Sequence, residues 1–371
     1  MVLSWQRNWR KEGLTLKLQL DNTKTYAIAL EGGGAKGAYQ IGVWKALAEA
    51  GIKYNAVSGT SVGALNAALM CMGDLERAIQ LWSDIRLSNV INMDAEEEQG
   101  FRRLMNGVLE PEDFREIIPQ ILDVIKNRGL DVAPLRSWVR EIVDAEIIHA
   151  SKVELFVTTM SISDRKGLEV RLNDLSENEI CDMLLASSYH PSFRLEKLGG
   201  KLYADGCFVD SLPVHVLVEN GYKDIIGVRL PSLGIEKRFK MPEDVSITTI
   251  HTNSDLGFVL NFDAELSRRN INIGYYDAQR VLYGLYGGEY YIDRSLSEQD
   301  ALNVLIGIYG REGRNLRRLC EQRLPKLAKK LSVADGDYYQ LLIAILESRA
   351  RARGLEKFQV YSDKDLIKIL F

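Results

Sequence analysis

The stretch TYAIALEGGGAKGAYQIGVWKALAEAG at residues 25–51, with YNAVSGTSVGALNAALMCM following at 54–72, decides the fold. YAIAL is a short apolar strand and EGGGAKG a glycine loop. AYQIGVWKALAEAG is a helix that puts Ile41, Trp44, Leu47 and Ala48 on one face and stops at Gly51. YNAVS then reads as a second strand, GTSVG as a turn and ALNAALMCM as a second helix. Strand, helix, strand, helix is the pattern of a parallel sheet covered by helices, so an α/β fold is expected.

Further along, VELFVTTMSI and GLEVRL read as strands joined by the turn SDRKG, and NEICDMLLASS as a helix that stops before Pro191. After KLYAD comes a turn, then LPVHVLVEN as a helix, DIIGVRL as a buried strand and SITTI as the last strand. Residues 74–150 interrupt this alternation with helical stretches broken by Pro111, Pro119 and Pro134 and an acidic patch at Asp94–Glu98, the marks of a helical insertion. Beyond residue 252 the strand pattern gives way to helical stretches through Phe371. Three parts are expected: an arm at 1–24 carrying Trp5 and Trp9 near Arg7, Arg10 and Lys11, an α/β domain at 25–251, and a helical C-terminal extension at 252–371.

Composition excludes several classes. With 371 residues, 46% hydrophobic and 26% charged, the chain has ordinary globular usage, unlike a disordered segment or a disulfide-stapled miniprotein. Lysine and arginine number 47 against 51 acidic residues, a net charge of −4, so no global basic field invites nucleic acid. Cys71, Cys181, Cys207 and Cys320 form no C-x-x-C and accompany only four histidines, so no metal site is expected and reduced thiols in a cytosolic protein fit best. The opening MVLSWQRNWRKEG has no apolar core of a secretory signal. Tyr54–Gly73 runs twenty residues without a charge, long enough to span a bilayer. Its Asn55, Ser58, Gly59, Thr60, Ser61, Gly63 and Asn66 instead suit a buried strand, turn and helix.

Two loops carry candidate chemistry. Gly32, Gly34 and Gly37 spell G-x-G-x-x-G between a strand and a helix, where backbone amides and the helix dipole favour an anion. A dinucleotide site would add an acidic residue near the end of the second strand, and Lys53–Gly59 offers none. A P-loop would need Lys and Ser or Thr where Ala38 and Tyr39 stand. Gly59-Thr60-Ser61-Val62-Gly63 is a G-x-S-x-G between strand and helix, the setting that lifts a serine above a sheet edge. Gly32 and Ser61 are 29 residues apart, about one β-α-β unit, which brings both loops to the carboxyl edge of adjacent strands. A serine needs a base, and the candidates are His215, His251 and Asp205. Spacing alone does not choose among them.

EGGGAKG at 31–37, GTSVG at 59–63, ASSYHPSF at 186–193 and ADG at 204–206, in this order, resemble the patatin-like phospholipases, serine acyl hydrolases that use a Ser/Asp dyad without histidine. The resemblance covers about 25–230. It implies a three-layer α/β/α domain around a mainly parallel sheet, Ser61 as nucleophile, Asp205 as its base, and an oxyanion hole from the amides of Gly32, Gly33, Gly34 and Val62. Lys36, Gly37, Gly59, Gly63 and Gly206 would support these motifs; Cys207 departs from the usual Gly or Ala. The implied activity is a phospholipase A or lysophospholipase type of hydrolysis through a Ser61 acyl-enzyme, with a lipid or acyl ester as partner, room for peripheral membrane contact, and no cofactor, metal or nucleic acid. Two alternatives are a catalytically silent lipid-binding or scaffold protein and, behind it, a nucleotide-binding oxidoreductase.

Outside the resemblance, Arg311–Lys330 sets eight Lys or Arg against two Glu around regularly spaced leucines. It reads first as a packing helix with a solvated basic face and second as a lipid-docking helix. The cluster Tyr275, Tyr276, Tyr283, Tyr286, Tyr290 and Tyr291 reads first as packing and second as a lining for acyl chains.

Overall fold

The computed structural model describes residues 16–93, 129–310 and 316–371, and the chain divides into two compact units. One is Asp21–Ala278; the other combines Met1–Leu20 with Gln279–Phe371. Residues 252–278 therefore fall in the same unit as the sheet.

The first unit is built on β1 (Thr25–Leu30), β2 (Lys53–Thr60), β3 (Glu154–Ser161), β4 (Lys166–Arg171), β5 (Tyr203–Ala204), β6 (Asp224–Val228) and β7 (Ser246–Ile250). Their order is β4-β3-β2-β1-β6-β7. The five strands from β3 to β7 in that order pair in parallel, while β4 and the two-residue β5 run antiparallel to β3. This is a mainly parallel mixed sheet with flanking helices. Alternation along β1 sends Ala27 and Ala29 to one face, where they meet Val214, Val216 and Leu217 of α7 (Val214–Glu219). Small residues there let a short helix lie close to the sheet.

In chain order the other helices of this unit are α1 (Ala38–Glu49), α2 (Val62–Met72), α3 (Leu75–Ser83), α4 (Ala133–Ile142), α5 (Ala145–Ala150) and α6 (Glu177–Ser187) before α7, and, after β7, α8 (Ala264–Tyr283) up to Ala278, its remaining residues falling in the other unit. The uncharged run 54–73 is β2, a turn and α2, and α2 is buried from Val62 through Cys71. Among the described residues no helix is long and apolar enough to cross a membrane. One expectation about α1 fails: Ala48 is exposed, whereas Ala38–Trp44, Ala46 and Leu47 are all buried. The helix is covered on several sides, by α2, by α3 and by α8, whose backbone at Ile271 comes so near Gly42 that no Cβ would fit there. A single apolar stripe therefore does not describe it.

Within 74–150, Pro134 opens α4 rather than breaking a helix, because its missing N–H costs nothing in a first turn. Asp94–Glu98, Pro111, Pro119, Trp5 and Trp9 lie outside the described residues.

The second unit is helical, with α9 (Glu298–Tyr309), a helical stretch over 316–330 that contains a π-turn at Leu319–Arg323, α10 (Tyr338–Ala352) and α11 (Asp363–Leu370). It also holds a small parallel sheet of β8 (Tyr291–Asp293) and β9 (Val360–Ser362), which the helical pattern of the sequence did not announce. Leu319, Leu324 and Ala328 are buried in this unit's core with Leu305, Leu342 and Leu366. The apolar side of 316–330 is thus occupied by packing, and Arg317, Arg318, Arg323, Lys326, Lys329 and Lys330 stay exposed. Tyr286 stacks edge-on with Tyr339 at 4.9 Å and Tyr290 with Tyr361 at 6.2 Å, so these tyrosines pack the unit.

Candidate active site

β2 is buried from Ala56 to Thr60, and hydroxyls on its last turns anchor the neighbouring loop. Ser58 Oγ donates to the Pro213 carbonyl and Thr60 Oγ1 to the Asp210 carbonyl, each at 2.7 Å. The chain then turns sharply into α2 through Ser61, which takes φ 56° and ψ −125°. A non-glycine residue there is strained, a condition that persists only where the surroundings over-determine it. The flanking glycines supply those surroundings. A Cβ at Gly59 would lie 2.2 Å from the Gly63 carbonyl oxygen, and one at Gly63 would lie 2.3 Å from the Leu30 carbonyl oxygen.

Ser61 is held at both ends. Its N–H donates to Ser187 Oγ at 2.8 Å, and Ser187 Oγ donates to the Thr158 carbonyl at 2.7 Å. Its own Oγ donates to Asp205 Oδ2 at 2.7 Å. Asp205 reaches this place because β5 pairs with the far end of β3, and its N–H donates to the Tyr189 carbonyl at 3.0 Å. The second carboxylate oxygen, Oδ1, accepts the Cys207 N–H at 2.8 Å. Between them, Gly206 passes so near β3 that a Cβ would stand 2.1 Å from the Thr158 carbonyl oxygen. Gly206→Ala is expected to cost about 1–3 kcal/mol as overpacking and to displace Asp205. A thermal melt lowered by several degrees would show this; a melt matching that of the parent would refute it.

Asp205 is only 5% exposed. Burial pushes its carboxyl above the ordinary carboxylate range, opposed by the Cys207 N–H and the Ser61 hydroxyl. Burial, and then the Asp205 charge, push the Cys207 thiol far up as well, so it stays protonated. The glycine loop is fixed by Glu31, a buried carboxylate that accepts the Leu230 N–H at 2.7 Å and the hydroxyls of Ser211 and Ser232 at 3.2 and 3.3 Å. Lys36 Nζ donates to the Pro231 carbonyl, and burial lowers its pKa. Both residues tie the loop after β1 to the loop after β6.

The amides of the glycine loop are not equivalent. The Gly32 N–H, expected among the oxyanion donors, donates to the Ser211 carbonyl at 3.0 Å and is committed to the fold. The Ala35 N–H donates to the Val259 carbonyl at 2.8 Å. Gly33 and Gly34 stand between them and, with Ser61, Val62 and Asp205, line a cavity of about 700 Å³. Val62 opens α2, where the first N–H groups of a helix have no partner inside it. Away from these groups the walls are apolar, including Leu65, Trp82, Val90, Leu135, Trp138 and Phe262.

Neither histidine weighed in the sequence lines this cavity. His215 sits on α7 with Nε2 3.0 Å from Glu219 and Nδ1 3.0 Å from Lys237 Nζ, and its ring stacks on Phe239 at 5.0 Å. Lys237 also pairs with Glu169 at 2.9 Å, which completes an ion-pair network around it. His251 is exposed just after β7. The histidine that does line the cavity is His190, which is not among the candidate bases in the sequence. Its Nδ1 lies 2.8 Å from Ser192 Oγ and accepts the Ser192 N–H at 3.3 Å. Burial lowers its pKa and favours the neutral ring, and a neutral ring whose Nδ1 accepts the Ser192 N–H carries its proton on Nε2. His190 and Ser187 both lie inside ASSYHPSF, so the signal was present in the motif.

A strained serine at a strand-to-helix turn, bonded to a buried carboxylate at the carboxyl edge of a mainly parallel sheet, defines a class of α/β proteins. Comparison with known sequences narrows it. The family model described as patatin-like phospholipase matches residues 28–218, just over half of the chain, and the chain belongs to that family. It is 27% identical over 211 residues to patatin-like phospholipase domain-containing protein 6 of Mus musculus and 26% identical over 208 residues to patatin-like phospholipase domain-containing protein 7 of Rattus norvegicus. Each alignment covers 56% of this chain and 14% of the relative, so the chain spans a small part of these proteins. Lysophospholipase nte1 of Aspergillus terreus is 52% identical over 46 residues, 12% of this chain and 3% of that protein. Among solved structures, VipD from Legionella pneumophila overlays with a TM-score of 0.38 and 15% identity, covering 91% of this chain and 88% of that one.

Proposed function

We propose that the protein is a lipid acyl hydrolase of phospholipase A or lysophospholipase type, acting through Ser61 with Asp205 as base. The observation that carries this reading is the 2.7 Å bond from Ser61 Oγ to a buried carboxylate on the wall of an apolar cavity. The family relationship supports the substrate class, and the scattered cysteines favour a reducing, cytosolic setting.

In the first half-reaction Asp205 takes the Ser61 proton as Oγ bonds to the ester carbonyl carbon. The negative charge moves to the carbonyl oxygen, facing the N–H groups of Gly33, Gly34 and Val62. Collapse of this intermediate breaks the bond to the alcohol oxygen, which takes the proton from Asp205 and departs. Water then repeats the sequence on the acyl-enzyme: Asp205 takes its proton, the hydroxyl bonds to the acyl carbon, and Ser61 leaves as the free hydroxyl once reprotonated. The raised carboxyl suits both directions, since a stronger base accepts the proton and the protonated acid returns it.

Fluorophosphonate labelling with peptide mapping tests the assignment. The label is expected on the peptide that contains Ser61, followed by turnover of p-nitrophenyl esters and phospholipids. Lipid binding without labelling would instead establish a silent lipid-binding protein, and a label on any other peptide would remove Ser61 from the mechanism.

A further inference from the structure

The cavity opens between loops at the carboxyl edge of the sheet, and the side chains at that opening are not the polar ones a free surface usually carries. Phe208, Leu233, Ile235 and Phe258 all line the cavity and are 51%, 103%, 55% and 48% exposed. They come from the turn after β5, the loop after β6 and the loop after β7. Leu233 projects wholly into solvent at a turn tip between Ser232 and Gly234. A contiguous apolar patch of this kind marks an interaction site. Directly after Ile235 the same loop carries Glu236, Lys237, Arg238 and Lys240, all exposed, and Glu243 and Asp244 follow before β7, with Asp244 paired to Lys223. Lys237 pairs with Glu169 and Glu236 with Arg229, while among the described residues no ion pair engages Arg238 or Lys240.

We propose that this rim is a docking surface for an anionic lipid bilayer, with Leu233 and Ile235 entering the interface and Arg238 and Lys240 meeting acidic headgroups. The inference rests on the acyl hydrolase reading, because the rim is continuous with the cavity that would take the acyl chain. An ester drawn from a bilayer would then pass from apolar lipid to apolar cavity without crossing water. An apolar tip followed in the same loop by Arg238 and Lys240, which no ion pair among the described residues engages, is a combination that favours a charged lipid surface. It also differs from the basic stretch at 316–330, whose Leu319 and Leu324 are buried in the core of the second unit.

The test uses the full chain with Ser61→Ala, so that vesicles are not consumed, and sedimentation with phosphatidylcholine vesicles with and without phosphatidylserine. Leu233→Asp combined with Ile235→Asp is expected to weaken binding by about tenfold or more at any salt, since it removes the inserted apolar groups and adds repulsion. Arg238→Gln combined with Lys240→Gln is expected to weaken it by about tenfold at low ionic strength on the phosphatidylserine vesicles, and by less at physiological salt, where the Debye length is about 8 Å. Binding that survives both substitutions would overturn the proposal. So would light scattering that shows a dimer dissolved by the leucine and isoleucine changes, because the rim would then be a contact between copies. Fluorophosphonate labelling of the chain with Ser61 intact reports the hydrolase reading independently, so the two fail separately.

Discussion

Ser61→Ala is expected to lower ester turnover by on the order of 10⁶-fold, the scale seen when a serine hydrolase loses its nucleophile, and to abolish fluorophosphonate labelling. The change is small in structural terms. Alanine keeps the Cβ that the turn already accommodates at φ 56°, and the glycines at 59 and 63 that make room for the turn are untouched. The Ser61 N–H still reaches Ser187 Oγ. What is lost is the hydroxyl that donates to Asp205 Oδ2, so the buried carboxyl loses a donor and its pKa rises further. Circular dichroism and a thermal melt close to those of the parent, alongside the lost turnover, would separate the missing nucleophile from a damaged fold. Near-parental turnover in the alanine variant would refute the assignment.

Much of this arrangement was legible because its geometry is local. A G-x-S-x-G between a strand and a helix constrains five consecutive residues, and the structure shows why the two glycines are needed. The strands YAIAL, YNAVS and DIIGVRL were legible for a similar reason, since a strand covered on both faces is a short apolar run with turn residues at its ends. The parts that were not legible depend on partners far apart in sequence. Gly32 and Gly33 are adjacent and identical in type, yet only Gly32 donates to Ser211, nearly 180 residues away. Glu31, Ser211 and Leu230 form a buried tie between two loops, and nothing in their spacing announces it. The contrast at α1 has the same origin: a helix covered by three others cannot show one stripe. His190 was missed for another reason. It stands before Asp205 in ASSYHPSF, a stretch that carries the family resemblance and offers no spacing of its own that marks a base.

Asp205→Asn is expected to lower acyl transfer by at least roughly 10²-fold, the lower end of what a positioned general base supplies. His215→Ala and His251→Ala should each change it little, because neither lines the cavity. His190 is the sterner comparison, since it does. Its Nδ1 is occupied by the Ser192 N–H and its Nε2 carries the ring proton, so the neutral ring has no free nitrogen to take the proton from Ser61. His190→Ala should therefore cost less than Asp205→Asn and should preserve the acidic limb of the rate profile. That limb belongs to Asp205: the carboxylate must be ionised to accept the proton, so the rate should rise with pH through a value above the ordinary range near 3.9. Stability should run the opposite way. Between the unfolded pKa and the raised native one the folded state binds more protons, so stability falls as pH rises across that window, and above it the buried charge is penalised in full. Asparagine has no charge to desolvate, and the variant should melt no lower than the parent at pH 7 while losing its turnover. A histidine variant as damaged as Asp205→Asn would replace the dyad with a Ser/His/Asp triad. A lower melting point for Asp205→Asn at neutral pH would mean that the carboxylate is held by bonds stronger than its burial penalty.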